Sequence, residues 1–284
     1  MRIKLFEYIS FGVILFLFTC SLAGAEEWAE VKGDHFIVYF QGPNKNFASQ
    51  AARKAEEYYL SIAQDLGYVR YSGFWKWENR VRIFIYPDRD KYLESTGRPQ
   101  WSRGMADYTK KQIVSYMWSE NFLEVLLAHE IGHLIFRDFV GFKGEVPLWL
   151  DEGVAQWEEK QFRIPRKMAM KNMLEENKMF SFLDMMKLEI KNIDEEDPIF
   201  ITSSFNGKNE VKIVEGKTLI EMYYLQSFSL VGFLMEEYRG EKFIAFCRQL
   251  RDGKSVQEAL GHTYPTDLRT FEDLEEKWRK YILK

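Results

Sequence analysis

Cysteine is nearly absent from this chain: two residues in 284, Cys20 and Cys247, the first inside an apolar N-terminal stretch. A disulfide framework is therefore excluded, and stability has to come from a packed core. At 46% hydrophobic and 16% aromatic residues the material for a core is ample. Histidine is scarce too, with four in the whole chain, so any clustering of them carries information. No basic patch occurs and the formal net charge is −4, which argues against nucleic acid as a partner. Internal repeats and low-complexity segments are missing. The N-terminal apolar run, Ile9 to Cys20, is too short to cross a bilayer comfortably.

That run follows a short basic start, Met1-Arg2-Ile3-Lys4, and precedes Ala23-Gly24-Ala25, a small-x-small pattern before Glu26. Residues 1–25 read as a signal peptide and 26–284 as the mature unit, exported to the periplasm or the exterior. An uncleaved anchor is one competing account and a lipid on Cys20 another, although Thr19 is a poor neighbour for a lipidated cysteine. Membrane contact is expected only through this segment. Cys247, among Phe243, Ile244 and Phe246, reads as a buried thiol acting as a small hydrophobe.

Two of the four histidines fall in one pentapeptide, His129-Glu130-Ile131-Gly132-His133. Phe122 to Phe139 has apolar residues at helical spacing, so both imidazoles lie on one helix face, at i and i+4. Glu130 is rotated off that axis. A hydrolytic zinc takes three protein ligands and keeps one position open, so a third ligand must come from elsewhere. With eighteen residues between it and His133 stands Glu152, in Trp149-Leu150-Asp151-Glu152-Gly153. Pro147 suits the first turn of the helix carrying it. A carboxylate among so many large apolar side chains needs a cation or a metal as partner. These segments together point to a zinc-dependent peptidase. His35 and His262, in a strand-like segment and a polar turn, read as structural or solvated.

His-Glu-Ile-Gly-His, eighteen residues, then Glu152 inside Trp-Leu-Asp-Glu-Gly-Val-Ala, resembles the gluzincin metallopeptidases, the thermolysin-like and M1-aminopeptidase-like superfamily. The layout is most similar to the small bacterial peptidase MA-like domains. The resemblance implies that His129, His133 and Glu152 bind zinc (Zn2+) and that Glu130 is the general base. It also implies a second donor to the developing oxyanion from the C-terminal lobe. Tyr224 is the candidate, with Tyr223 behind it; a core aromatic on a helix is the competing account of Tyr224. Thermolysin-like chains place an Asp one turn after the ligand Glu, where this chain has Gln156, and Asp151 is the alternative support for a ligand histidine. The Gly-x-Met-Glu-Asn grip on a free amine is missing. Arg103 to Tyr108 and a strand over Gln112 to Met117 stand there instead, offering an edge for an extended peptide. An endopeptidase acting on peptides or unfolded protein segments is the expected activity. An aminopeptidase without the usual amine clamp, or a non-catalytic zinc-binding or assembly module, are the alternatives.

The expected fold is α+β and zincin-like. Strands at His35 to Phe40, Arg80 to Tyr86 and Gln112 to Met117, with a helix over Phe47 to Leu66, make a small mixed sheet with packed helices in an N-terminal lobe, 26–144. A mainly helical C-terminal lobe, 145–284, follows, with helices at Arg166 to Asn177, Thr218 to Tyr238, Glu241 to Asp252 and Thr270 to Leu283. The zinc site is expected between the lobes, where ligands commonly bind. Met168, Met170, Met173, Met179, Met185 and Met186 read as core filler. The acidic run Asp194 to Asp197 lacks the ligand spacing of an EF-hand and reads as a solvated loop or hairpin insertion.

Overall fold

The computed structural model describes residues 27–67, 75–98, 100, 102–117, 122–142, 146–205 and 208–284. The expected signal peptide lies outside the described residues. No helix among them is long and apolar enough to cross a membrane.

The first half is built on a five-stranded mixed sheet, in the order β1 (Ala29–Lys32), β2 (Phe36–Phe40), β3 (Val81–Tyr86), β5 (Gln112–Tyr116), β4 (Gly104–Asp107). β2, β3 and β5 run parallel, while β1 and β4 close the two edges antiparallel. Alternation sets the buried face: Phe36, Val38, Val81, Ile83, Ile85 and Ile113 are all buried. Helix α1 (Lys45–Asp65) packs there through Ala48, Ala51, Ala52, Ala55, Tyr59 and Ile62. Its alanines let the helix lie close. A short helix α2 (Arg89–Thr96) is capped by the Asp88 side chain, which accepts from the Lys91 N–H, and ends at Gly97 in the left-handed region.

Helix α3 (Leu127–Val140) continues a π-helical turn at Phe122–Leu126 and stops at Gly141, whose φ is 80°. Helix α4 (Leu148–Glu158) begins after Pro147, as its sequence predicts. Then come α5 (Arg163–Glu175), α6 (Phe182–Lys187), the hairpin β6 (Pro198–Phe205) and β7 (Lys208–Glu215), α7 (Gly216–Arg251), α8 (Val256–Thr263) and α9 (Phe271–Ile282). The two helices expected across 218–252 are one element, broken at Arg239, where φ is 67°. Segment 198–215, between polar and acidic stretches, is the hairpin insertion. His262 sits in α8 rather than in a turn.

A single connected core runs from Phe36 to Ile282, so sheet and helices share one interior. Helix α4 is its axle, with α3 on one side and α7 on the other. Glycines allow this. A methyl at Gly153 would lie 2.5 Å from Ser227 O on α7, and one at Gly132 would lie 3.3 Å from Ala155 Cα on α4. Cys247 is fully buried, as expected. Of the six methionines, Met170, Met173, Met179 and Met185 fill the core, whereas Met168 and Met186 are exposed.

At the end of α4, Glu158 is 1% exposed and neither carboxylate oxygen has a hydrogen-bond partner. Burial, with help from Asp65, pushes its pKa from 4.5 to about 8 against the pull of Arg163 and Lys160. The folded state therefore holds a proton that the unfolded chain releases near 4.5, so the contribution is full below that pH and is lost as pH rises through about 8. The urea midpoint of the wild type is expected to fall between pH 5 and 8 more steeply than that of Glu158→Gln. Parallel curves for the two proteins would contradict this.

Candidate metal centre

Helices α3 and α4 run antiparallel and face each other with polar stripes. On α3, His129, His133 and Arg137 recur every four residues and so share one face. On α4 and the residue after it, Glu152, Gln156 and Glu159 do the same, with Asp151 alongside. The stripes meet as a ladder: Arg137 against Asp151, His133 against Asp151 and Glu152, His129 against Glu152 and Glu159.

The ladder fixes both imidazoles from behind. His129 Nδ1 donates to Glu159 Oε1 at 2.8 Å, and Glu159 Oε2 accepts from Arg166 Nη2 at 2.7 Å. His133 Nδ1 lies 3.1 Å from Asp151 Oδ1, at an angle that falls short of a full hydrogen bond. Asp151 Oδ2 accepts from Arg137 Nη2 at 2.8 Å, and the Arg137 guanidinium stacks 3.8 Å over the Tyr108 ring. Each histidine is thus backed by a buried carboxylate, and each carboxylate by an arginine.

With Nδ1 of each ring turned to a carboxylate, the Nε2 atoms face one another at 3.1 Å. Glu152 Oε2 is 3.7 Å from one and 3.8 Å from the other. All three donor atoms lie within 4.8 Å of one another. Two imidazole lone pairs and a carboxylate oxygen pointing inward repel unless a cation sits among them. A metal with bonds of about 2.0–2.2 Å at tetrahedral angles spaces its donors roughly 3.3–3.5 Å apart, and the separations here, 3.1, 3.7 and 3.8 Å, bracket that range.

Charge gives the same answer. Glu130, Asp151, Glu152 and Glu159 line the interface, and Arg137 and Arg166 are the guanidiniums paired there. Neutral imidazoles leave two negative charges over, which one divalent cation cancels. Burial alone would depress His133, but Asp151, Glu152 and Glu130 outweigh it and push its pKa up to about 9. The pocket is short of positive charge. Burial raises the pKa of Asp151 too, yet His133 and Arg137 prevail and hold it at about 2.

Glu130 is 8% exposed and stands beside the donor set rather than in it. Burial pushes its pKa up, opposed by the two imidazoles. The donors open into a cleft of about 530 Å³, lined among others by His129, Glu152, Gln156, Arg166 and Tyr224. Tyr224 is half-buried in that wall, its hydroxyl raised to about 12 by burial and then by Glu152. Tyr223 is 2% exposed and packs inward. His35 lies elsewhere, its Nδ1 2.6 Å from Glu56 and its ring stacked on Tyr59, in a structural role.

Of the residues expected from sequence, the structure brings His129, His133 and Glu152 together, with Glu130 beside them, Tyr224 in the cleft wall and Asp151 behind His133. Sequence reasoning misses Glu159, Arg166 and Arg137. The signal was present in the four-residue recurrence on α3 and the 152–156–159 stripe on α4. Gln156 does not take the carboxylate's place: its amide donates to Tyr224 O at 3.2 Å, and Glu159 supplies the charge one turn later.

No family model matches the chain, and no curated protein matches its sequence. Among solved structures, yeast LTA4 hydrolase in complex with bestatin is similar with a TM-score of 0.46 and 15% identity, over 89% of this chain and 39% of that one. The chain spans well under half the length of that protein.

Replacing Glu159 by glutamine leaves His129 with a weaker acceptor. Zinc affinity, measured by competition with a chromogenic chelator, is expected to fall by about 10–100-fold with the fold retained by circular dichroism. An unchanged affinity would contradict the role given to Glu159.

Proposed function

We propose that this chain is a zinc-dependent metallopeptidase of the gluzincin type that hydrolyses internal peptide bonds. One observation carries the reading: two Nε2 atoms and the Glu152 carboxylate converge at 3.1–3.8 Å, with a further carboxylate, Glu130, beside them. His129, His133 and Glu152 would hold the metal. Two imidazoles and one carboxylate, with an open side toward a cleft, suit zinc in a hydrolytic site. When bound, zinc supplies a Lewis acid that polarises a carbonyl and acidifies water.

The chain's own residues do the rest. Glu130 accepts the proton of the attacking water and passes it to the leaving amine as the peptide bond breaks. Its burial favours the step, since a carboxylate away from bulk solvent is a stronger base. Tyr224, kept protonated by its surroundings, donates a hydrogen bond to the oxygen that gains charge. Asp151 and Glu159 hold the two imidazoles in the tautomer that presents Nε2. Strand β4, an edge of the sheet among the described residues, lies beside α3 and leads into Tyr108, whose ring meets that of His133 edge-on. An extended peptide can add to that edge through backbone hydrogen bonds.

The substrate is a peptide or an unfolded protein segment, met after export through the signal segment at residues 1–25. Membrane contact is confined to that segment, or to a lipid on Cys20. Glu130→Gln is expected to keep zinc while hydrolysis of a peptide library drops by at least about a thousandfold. Wild-type turnover in that variant would overturn the mechanism, and loss of zinc would mean that Glu130 is a ligand.

A further inference from the structure

The helix faces that line the cleft at the donor cluster run on beyond it. On α5, Arg166 lies in its wall, and Ala169, Met173 and Glu176, at steps of three, four and three residues, continue along the same helix face. On α7, Leu225 and Glu221 lie in the cleft wall, and Met222 and Thr218 continue that face toward the helix start. The two helices run antiparallel here, with Lys167 on α5 bonded to Glu236 on α7 and Met173 and Met222 lining one cavity lower down. The same two facing stripes therefore line the donor cleft and, further along, a second cavity of about 650 Å³.

That second cavity differs in character from the first. Its floor is two thioethers, Met173 at 9% and Met222 at 5% exposure, and its far wall is Ile213 and Val214 of β7. Ile213 is 64% exposed, and Phe200, paired directly across the hairpin and 70% exposed, points to the same side. Two large apolar side chains standing in solvent next to an open apolar cavity are an unspent binding surface. Methionines at the floor adapt to side chains of different shape.

We infer that this cavity is a subsite for an apolar side chain of an extended polypeptide whose scissile bond lies at the donor cluster, an inference that rests on the peptidase reading above. From Arg166 to Glu176 the α5 face rises about 15 Å at 1.5 Å per residue, which an extended peptide covers in four to five residues at about 3.3 Å each. The occupant is the substrate chain itself, because the same faces of α5 and α7 line both the cleft and the cavity, and the two lie a short peptide's length apart. Substrates long enough to reach the cavity gain an anchor that a dipeptide lacks.

The test uses zinc-loaded protein and fluorogenic decapeptides. Each carries either Leu or Ser four or five residues from the cleaved bond, on one side at a time. On one of the two sides, the Leu peptide is expected to show a kcat/KM about tenfold above its Ser counterpart, the effect of burying one apolar side chain. Ile213→Ser and Ala169→Arg each abolish that advantage. Leu60→Ser, which alters an equally exposed residue on α1 outside the cavity, leaves it intact. Binding of the same peptides to Glu130→Gln, read by fluorescence anisotropy, shows the same preference. Cleavage without discrimination on either side overturns the subsite and leaves the peptidase reading standing. Failure to cleave any peptide, with the binding preference and its loss in Ile213→Ser retained, contradicts the peptidase reading and upholds the subsite. A dimer in sedimentation velocity that Ile213→Ser dissolves assigns this face to a second copy and overturns the subsite.

Discussion

Everything at the centre of this molecule depends on two antiparallel helices that place charged stripes against each other inside an apolar core. Burying carboxylates is costly unless each is paired. Here the pairing is nearly complete: Asp151 with Arg137, Glu159 with Arg166, and both with imidazole nitrogens. What is left over is Glu152 and Glu130 with two bare Nε2 atoms. A divalent cation would satisfy that remainder. The two donor imidazoles are thus held in place by pairs that lie outside the donor set.

The packing of α4 explains why this arrangement is held so closely. Gly153 lets α4 approach α7 to a distance that no Cβ would permit, and Gly132 lets it approach α3 where a Cβ would be tight. The ladder spacing on one face of α4 is then set by the core on the other. Glu158, turned away from the ladder, is buried with no hydrogen bond to its oxygens, Arg163 standing 3.8 Å away, and keeps its proton. Adjacent glutamates in one helical turn therefore have opposite roles: Glu158 is a neutral part of the interior, and Glu159 is a charged brace for His129.

Much of this was legible in the sequence, and the exceptions have physical causes. His129, His133 and Glu152 could be placed from i, i+4 spacing and from the cost of an acid in an apolar helix. The strands at 36–40, 81–86 and 112–116 followed from alternation, and the breaks at Gly141 and Pro147 from backbone chemistry. Strands β1 and β4 were missed because each is four residues long, too short for alternation to register, β1 being mostly exposed and β4 half-buried throughout. Arg166 was invisible as a brace because its partner Glu159 lies beyond the end of α4, and only the chain's turn into α5 brings the two together. Helix α2, with almost no apolar face, is held by its caps rather than by periodicity. The hairpin at 198–215 could be suspected from its flanking acids. Its bearing on the cleft depends on which side of the sheet Phe200 and Ile213 share, which a linear reading does not reveal.

The central claim is that His129, His133 and Glu152 form one three-ligand zinc site. Elemental analysis of the purified wild type and of Glu152→Ala, each equilibrated with zinc and freed of excess, tests it most directly. The account predicts one zinc per wild-type chain and far less in the variant. No zinc in either protein, or equal zinc in both, would contradict it.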